Sequence, residues 1–389
     1  MSKYKQDTLI VTTGRNPEEN FGIINPPVYH ASTVLYPTLH TVKTRGQPVT
    51  YGRRGTPTTF ALQEAIAELE GGFRSVITSS GLSAVTTALL AHLKAGDHLL
   101  MVDSVYEPSR HFCDTVLTRY GVDVEYYDPR IGAGISSLLR ENTAVVFTES
   151  PGSVTFEVQD LPAIAEAAHK RGAVVMIDNT WASPLYFKPF EHGADVSIQA
   201  VTKYLCGHSD VMMGAITTTE EAWKPTLDGH GAIGQCVAPD DVYLVLRGIR
   251  TLSVRLERHM ATGLRLAEWL ATRPEVTRVI HPALPSHPDH AIWKRDFTGA
   301  SGLFSIELAP CPEKAVAAFL DDLELFGMGY SWGGFESLII PQYPAKIRSA
   351  TKWDAKGQIL RIHAGLEDVD DLIADLDAGF ARLRAAANT

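Results

Sequence analysis

From Thr58 onward the apolar positions repeat with a helical period. Phe60, Leu62, Ile66 and Leu69 share one face, Glu64, Glu68 and Glu70 form an acidic one, and Gly71-Gly72 stops the run. Ser75 to Thr78 then reads as a short strand, Ser79-Ser80-Gly81 as a turn, and the residues after it as a helix start. Such a turn offers free N–H groups and a helix dipole to an anion such as a phosphate, or it is simply a structural turn. It is no Walker A loop, because no Gly-Lys-Ser/Thr follows. Four further apolar runs read as strands at His98–Val102, Val122–Tyr127, Thr143–Thr148 and Ala173–Asp178, with a fifth at Ala194–Ala200. Helical patterns follow Tyr106 to about Tyr120 and run from Leu161 to Arg171. Repeated βα units of this kind predict an α/β fold, a mostly parallel sheet covered by helices on both faces. Functional groups in such sheets gather outside the C-terminal strand ends. Ser80, Gly81, Tyr106, Ser150, Asp178 and Lys203 all fall just after predicted strands.

The flanks behave differently. Residues 1–56 are dense in Gly, Pro and Asn and keep no helical period, which predicts an extended arm. A long arm on a compact protein usually lies against something, and a second subunit is the natural candidate. The arm ends in Tyr51-Gly-Arg53-Arg54-Gly55, either a solvated turn or a phosphate-binding fork beside an aromatic hydroxyl. Residues 240–272 keep a helical spacing and read as one long connecting helix. Beyond it, short strands at 302–308, 338–340 and 358–363 and a closing helix at 369–383 predict a smaller C-terminal domain. The expected divisions are thus 1–56 (arm), 57–250 (large domain) and 251–389 (small domain). Arg361 interrupts an apolar strand and needs a carboxylate partner, internal or from a substrate.

Composition narrows the partners. The 389 residues are 45% hydrophobic and 21% charged, enough apolar surface for a sizeable core. A net charge of −10 without a basic run argues against nucleic acid or an anionic membrane. No stretch of about 18 apolar residues occurs, and Met1-Ser-Lys-Tyr-Lys-Gln-Asp7 lacks the apolar core of a signal peptide, so a cytoplasmic enzyme is expected. Cys113, Cys206, Cys236 and Cys311 are widely spaced, as reduced thiols are. His281, His287 and His290 fit no metal-ligand spacing, and no metal is expected.

Asp178 closes an apolar strand and Lys203 follows the next one. Taken alone, they are equally a strand-end carboxylate and a surface lysine. Together they also have the layout of a pyridoxal-phosphate site, where a lysine holds the aldehyde as a Schiff base and an aspartate partners the ring nitrogen. The remaining motifs favour the second reading. Tyr51-Gly-Arg53, Ser79-Ser-Gly81, Tyr106, Asp178-Asn-Thr-Trp181, Thr202-Lys203-Tyr and Gly207-His-Ser-Asp210 jointly resemble the Cys/Met-metabolism family of pyridoxal-phosphate enzymes, over nearly the whole chain. Glu149-Ser-Pro-Gly-Ser153, Ser197-Ile-Gln-Ala-Val-Thr-Lys203, Ser331-Trp-Gly-Gly-Phe-Glu-Ser-Leu338 and the run from Leu360 to Leu372 resemble its bacterial β-lyase branch.

The resemblance implies fold type I of the PLP-dependent transferases, the aspartate aminotransferase-like fold, with pyridoxal 5'-phosphate as cofactor. It implies that Lys203 holds the aldehyde and shuttles protons, with Tyr51 and Tyr106 completing the catalytic set. Asp178 keeps the ring nitrogen protonated, Tyr106 stacks on the ring, and Ser80, Gly81, Leu82, Thr202 and Gln199 cradle the phosphate. Tyr51 and Arg53 reach the phosphate of an adjacent subunit's cofactor, so a homodimer shares its active sites, and such dimers pair into tetramers. Arg361 clamps a substrate α-carboxylate beside Ser331 and Trp332, while Tyr51 and Trp332 shape the distal pocket. The reaction implied is α,β-elimination of L-cystathionine to homocysteine, pyruvate and ammonia. The alternatives are γ-elimination, cysteine or cystine desulfhydration and, more remotely, a non-catalytic regulator. Where the γ branches carry Ser-Pro-Thr-Asn-Pro, this chain has Ser150-Pro-Gly-Ser153, so the family's Asn contact to the cofactor ring oxygen has no counterpart.

Overall fold

The computed structural model describes residues 4–388. Met1, Ser2, Lys3 and Thr389 lie outside the described residues, and with them the outermost ends of the expected arm and small domain and part of the leader-free N-terminal reading. Seven strands form one sheet: β1 (Arg74–Thr78), β2 (His98–Val102), β3 (Asp123–Tyr127), β4 (Thr143–Glu149), β5 (Val174–Asp178), β6 (Val196–Gln199) and β7 (Gly214–Thr218). Their spatial order is β1-β7-β6-β5-β4-β2-β3. β6, β5, β4, β2 and β3 pair in parallel, and β7 runs against both β6 and β1. Every residue of β2, β6 and β7 is buried, as strands covered on both faces must be. The expected mostly parallel α/β architecture is therefore present.

A second sheet is antiparallel throughout, in the order β10-β11-β9-β8. Its strands are β8 (Val276–Ile280), β9 (Leu303–Leu308), β10 (Leu338–Gln342) and β11 (Ile359–His363). Phe304, Ile306, Ile339, Leu360 and Ile362 join Phe319 and Phe380 in its core. The two sheets are stitched together at Trp181, whose indole N–H donates to Leu303 O at 2.9 Å, and at Tyr204, whose hydroxyl accepts Gly302 N–H at 3.1 Å.

Several local expectations change. β7 and β8 are additional strands: β7 opens on Gly214-Ala215 and owes its form to pairing with the strands on either side, whereas β8 is rich in β-branched residues (Val276, Thr277, Val279, Ile280). The 240–272 stretch is two helices, Pro239–Ile249 and Leu252–Leu270. At the break Arg250 donates to Ile10 O and Thr13 O, at 2.7 and 2.8 Å. Those carbonyls belong to the C-terminal end of a short helix, Gln6–Thr12, inside the segment expected to be irregular; burial of Leu9 and Ile10 holds it. Glu70 does not belong to an exposed acidic face. It is fully buried, accepting from Ser197 Oγ at 2.9 Å and Gln199 Nε2 at 2.6 Å, and burial pushes its carboxyl up to about 7.

A buried polar cluster fastens the segment after β10 onto the strand ends of the large sheet. Asp103, just past β2, accepts from Ser349 N at 3.0 Å, Thr351 N at 2.8 Å and Thr351 Oγ1 at 2.6 Å, and pairs with Arg110. Arg348 pairs with Glu157 at 2.8 Å, and both side chains are almost fully buried. Burial works to raise the Asp103 pKa, but the hydrogen bonds from Thr351 and Ser349 outweigh it and hold the carboxyl below its ordinary value. Its stabilising effect is then complete above the ordinary aspartate range and is lost as pH falls through the lower folded-state value. Removing one partner of a buried pair typically costs about 3–5 kcal/mol. Asp103→Ala is therefore expected to lower the denaturation midpoint markedly at neutral pH, with the gap to the parent protein narrowing under acid. Equal midpoints for the two proteins at pH 7 would show that the cluster stabilises nothing.

Candidate active site

The C-terminal ends of β4, β5 and β6 and the loop before β10 enclose a cavity of about 480 Å³. Ser80, Gly81, Leu82, Tyr106, Asp178, Thr202, Lys203, Ser331, Trp332 and Arg361 all line it. The structure thus brings together ten of the thirteen residues singled out in the sequence. Gln199 is turned away: its amide donates to Glu70 and to Asn179 O, at 2.6 and 3.1 Å, beneath the strand end. Tyr51 and Arg53 also lie elsewhere. Tyr51 is 46% exposed, and Arg53 donates to Gly231 O at 3.1 Å beside a separate, larger hollow.

At one end of the cavity the helix Gly81–His92 begins. Ser80 caps it, its hydroxyl accepting Ser83 N–H at 3.0 Å. The Gly81 and Leu82 amides meet no protein acceptor among the described residues, as first-turn amides do not. Gly81 is pressed so closely on the end of β6 that a Cβ there would lie 2.6 Å from Ala200 Cβ. The Thr202 hydroxyl, although at the wall, is already engaged with Met213 N and O, at 2.9 and 3.2 Å.

In the middle, register places Glu149 of β4 directly beside Asp178 of β5. One Asp178 oxygen accepts both the Thr180 hydroxyl at 2.5 Å and the Thr180 amide at 3.0 Å, and Thr180 Oγ1 in turn accepts Ala200 N–H at 2.9 Å. The other oxygen has no protein partner among the described residues. Burial pushes both carboxyls up. Glu149 is moved well above its ordinary value because it also feels the Asp178 charge, whereas Thr180 and Lys203 work against the shift at Asp178. Glu149 further accepts Tyr106 N–H at 2.7 Å, fixing the start of the segment that carries the Tyr106 ring. Neither Glu149 nor Thr180 was singled out from the sequence. The available signals were an apolar strand ending on an acid, like that of Asp178, and a hydroxyl two residues past it.

Lys203 lies in the turn after β6. Its Nζ donates to Ser331 Oγ at 2.6 Å and stands 5.4 Å from the centre of the Trp332 ring. Burial, and secondarily the Arg361 charge, lower its pKa to about 8. Arg361 reaches over from β11, donating to Ser331 O at 3.1 Å, and pairs with no carboxylate among the described residues. Most of its fork of donors is left for an anionic group.

These features fit pyridoxal 5'-phosphate handle by handle. Unpaired amides at a helix start suit the phosphate, an unengaged carboxylate oxygen on Asp178 suits the ring nitrogen, and a buried amine of lowered pKa suits the aldehyde. Residues 7–381 match the family described as Cys/Met metabolism PLP-dependent enzyme. The cystathionine beta-lyase of Escherichia coli K12 is 47% identical over 98% of this chain and 100% of its own. An L-alanine/L-glutamate racemase of Wolbachia pipientis wMel is 41% identical, over 97% of this chain and 98% of its own. The crystal structure of cystathionine gamma synthase from Xanthomonas oryzae pv. oryzae, 33% identical, superposes with a TM-score of 0.91, covering 99% of this chain and 100% of that one.

With the cofactor removed, the Lys203 amine is expected to half-titrate near pH about 8, compared with 10.5 for an ordinary lysine. The pH dependence of its acylation, followed peptide by peptide by mass spectrometry, measures this. Arg361→Met should move the midpoint upward, since a neighbouring positive charge disfavours protonation. A midpoint that stays put would rule out the like-charge contribution.

Proposed function

The chain belongs to the family of Cys/Met metabolism PLP-dependent enzymes, and on that premise we propose that it cleaves the Cβ–S bond of L-cystathionine. It is a PLP-dependent carbon–sulfur lyase of the kind named in its E. coli relative. The net reaction takes L-cystathionine and water to L-homocysteine, pyruvate and ammonia. Bound pyridoxal 5'-phosphate supplies the electron sink for the charge left when a proton leaves Cα. Lys203 would hold the cofactor's aldehyde, and its amine, once free, would take the Cα proton at Nζ and return a proton to the sulfur as the Cβ–S bond breaks. An amine with a pKa of about 8 suits both directions of that transfer near neutral pH. Asp178 holds the ring nitrogen protonated with its free oxygen, Tyr106 covers the ring, and Ser80, Gly81 and Leu82 receive the phosphate. Arg361 grips the α-carboxylate, with Ser331 and Trp332 beside it. The single observation carrying this assignment is Arg361: a guanidinium at the cavity wall, without a carboxylate of its own among the described residues, bound to the carbonyl of the serine whose hydroxyl accepts Lys203.

Tyr51 and Arg53 belong, in this reading, to the cavity of a second copy. Their position outside this chain's own cavity supports a dimer with shared sites, as do the exposed Phe21, Leu35 and Leu39 of the arm, 99%, 85% and 68% accessible. Pairing of dimers into a tetramer is part of the proposal. So is the division into an arm (1–56), a cofactor-binding domain (57–250) and a small domain (251–389); the seven-stranded sheet falls wholly in the second and the four-stranded sheet in the third. Four unpaired cysteines support a cytoplasmic location, and no helix among the described residues is long and apolar enough to cross a membrane.

Incubating the loaded enzyme with L-cystathionine should release pyruvate and homocysteine. Release of 2-oxobutyrate with cysteine would reassign the reaction to γ-elimination. Lys203→Ala should lose at least about 10²–10⁴-fold in turnover, the usual contribution of a positioned acid–base group. Arg361→Ala should raise KM by about 10- to 100-fold, the worth of charged hydrogen bonds. Shared sites predict a separate result. Subunits carrying Lys203→Ala, mixed with subunits carrying Arg53→Ala, should regain activity that neither variant shows alone. Mixing without any recovery would mean that each cavity is served by its own chain.

A further inference from the structure

β11 carries a second side chain, two residues past Arg361, that reaches the same turn. His363 is fully buried, with Nε2 lying 3.1 Å from Gly333 N and 3.2 Å from Gly334 O. That turn is unusual backbone. Ser331 and Gly333 both have positive φ, 77° and 86°, and Gly333 backs onto Lys203 so closely that a Cβ would lie 2.9 Å from the Lys203 carbonyl carbon. A serine in this region persists only where its surroundings enforce it. The same serine accepts the Lys203 amine and, through its carbonyl, the Arg361 guanidinium.

His363 Nε2 faces a donor and an acceptor of the same turn. Gly333 N–H requires that nitrogen bare and Gly334 O requires it protonated, so either tautomer of the neutral ring makes one hydrogen bond to the turn. Burial lowers the pKa of both His363 and the neighbouring His259, the latter to about 4, so both rings are neutral. The two ring centres are 5.1 Å apart, and His259 Nδ1 is 2.7 Å from Ala364 O, to which it donates.

We propose that His363 is a positioning residue which holds the Ser331–Gly334 turn and so aims Ser331 at Lys203 and Arg361. This rests on Lys203 and Arg361 being the working groups. The test compares His363→Phe, which keeps a ring and loses both nitrogens, with His363→Gln, whose amide can meet both Gly333 and Gly334. Binding of glycine, which has an α-carboxylate but no Cβ to eliminate from, is read alongside KM, kcat, cofactor content and thermal unfolding. His363→Phe should bind glycine about tenfold more weakly and lose about tenfold in kcat per loaded molecule, the effect of one lost hydrogen bond. His363→Gln should recover most of both. If His363→Phe does not fold, His363→Asn, too short to reach Gly333, replaces it. Wild-type glycine affinity, KM and kcat per loaded molecule in the nitrogen-free variant would overturn the proposal, as would a glutamine variant no better than phenylalanine. If the unsubstituted enzyme gives no keto acid from L-cystathionine, the substrate assignment fails, while the glycine comparison still decides the role of His363.

Discussion

Two cationic groups, the Lys203 amine and the Arg361 guanidinium, face one cavity, and only Lys203 feels a nearby carboxylate, that of Asp178. Removing an ammonium from water is expensive, and a neighbouring positive charge adds to the cost. The amine yields by lowering its pKa, which is what a group exchanging protons near neutral pH requires. Burial lowers the Arg361 pKa as well, but a guanidinium starts too high to lose its charge, so it is held by Ser331 O and leaves donors for an anion. The turn at Ser331 therefore answers both charges at once, and its left-handed backbone is the strain that this arrangement carries.

The two sheets exist in a relation that makes this possible. Lys203 and Asp178 come from the strand ends of the parallel sheet, Arg361 from the middle of a strand in the antiparallel one. Neither sheet alone closes the cavity. Buried polar contacts hold the two in register: Asp103 with Ser349 and Thr351, Arg348 with Glu157, Trp181 with Leu303 O. Arg255 does similar work behind the lysine turn, donating to Tyr204 O and Gly248 O, each at 2.8 Å. Gly207, with φ of 74°, passes where any Cβ would collide with that guanidinium.

A carboxylate pair accounts for the shape of the opposite wall. Glu149 and Asp178 end adjacent parallel strands, too close for both to ionise freely without water. Thr180 directs its hydroxyl and amide to one oxygen of Asp178, which keeps that residue the better anion of the two. Glu149 meanwhile fixes the Tyr106 backbone. Burial raises both carboxyls, and Thr180 and Lys203 oppose the rise only at Asp178, so the two acids divide the work of positioning and electrostatics.

Much of this was legible in the chain itself. Continuous apolar runs of strand length mark β2, β4 and β5, because a strand buried on both faces admits nothing else. The residues just past those runs line the cavity, because parallel strand ends are where a sheet opens to ligands. What the sequence by itself determined was the type of fold, the family with its cofactor, and the gathering of the candidate residues at one edge of the sheet. Tertiary structure alone decided the rest, since these matters depend on what lies opposite a residue and not on its neighbours in sequence. It made a strand of Gly214–Thr218 by placing it between two others, and split a continuous helical pattern where Arg250 reaches the N-terminal helix. It turned Gln199 toward buried Glu70, set Glu149 against Asp178, placed Tyr51 and Arg53 outside the cavity, and gave His363 a turn to hold.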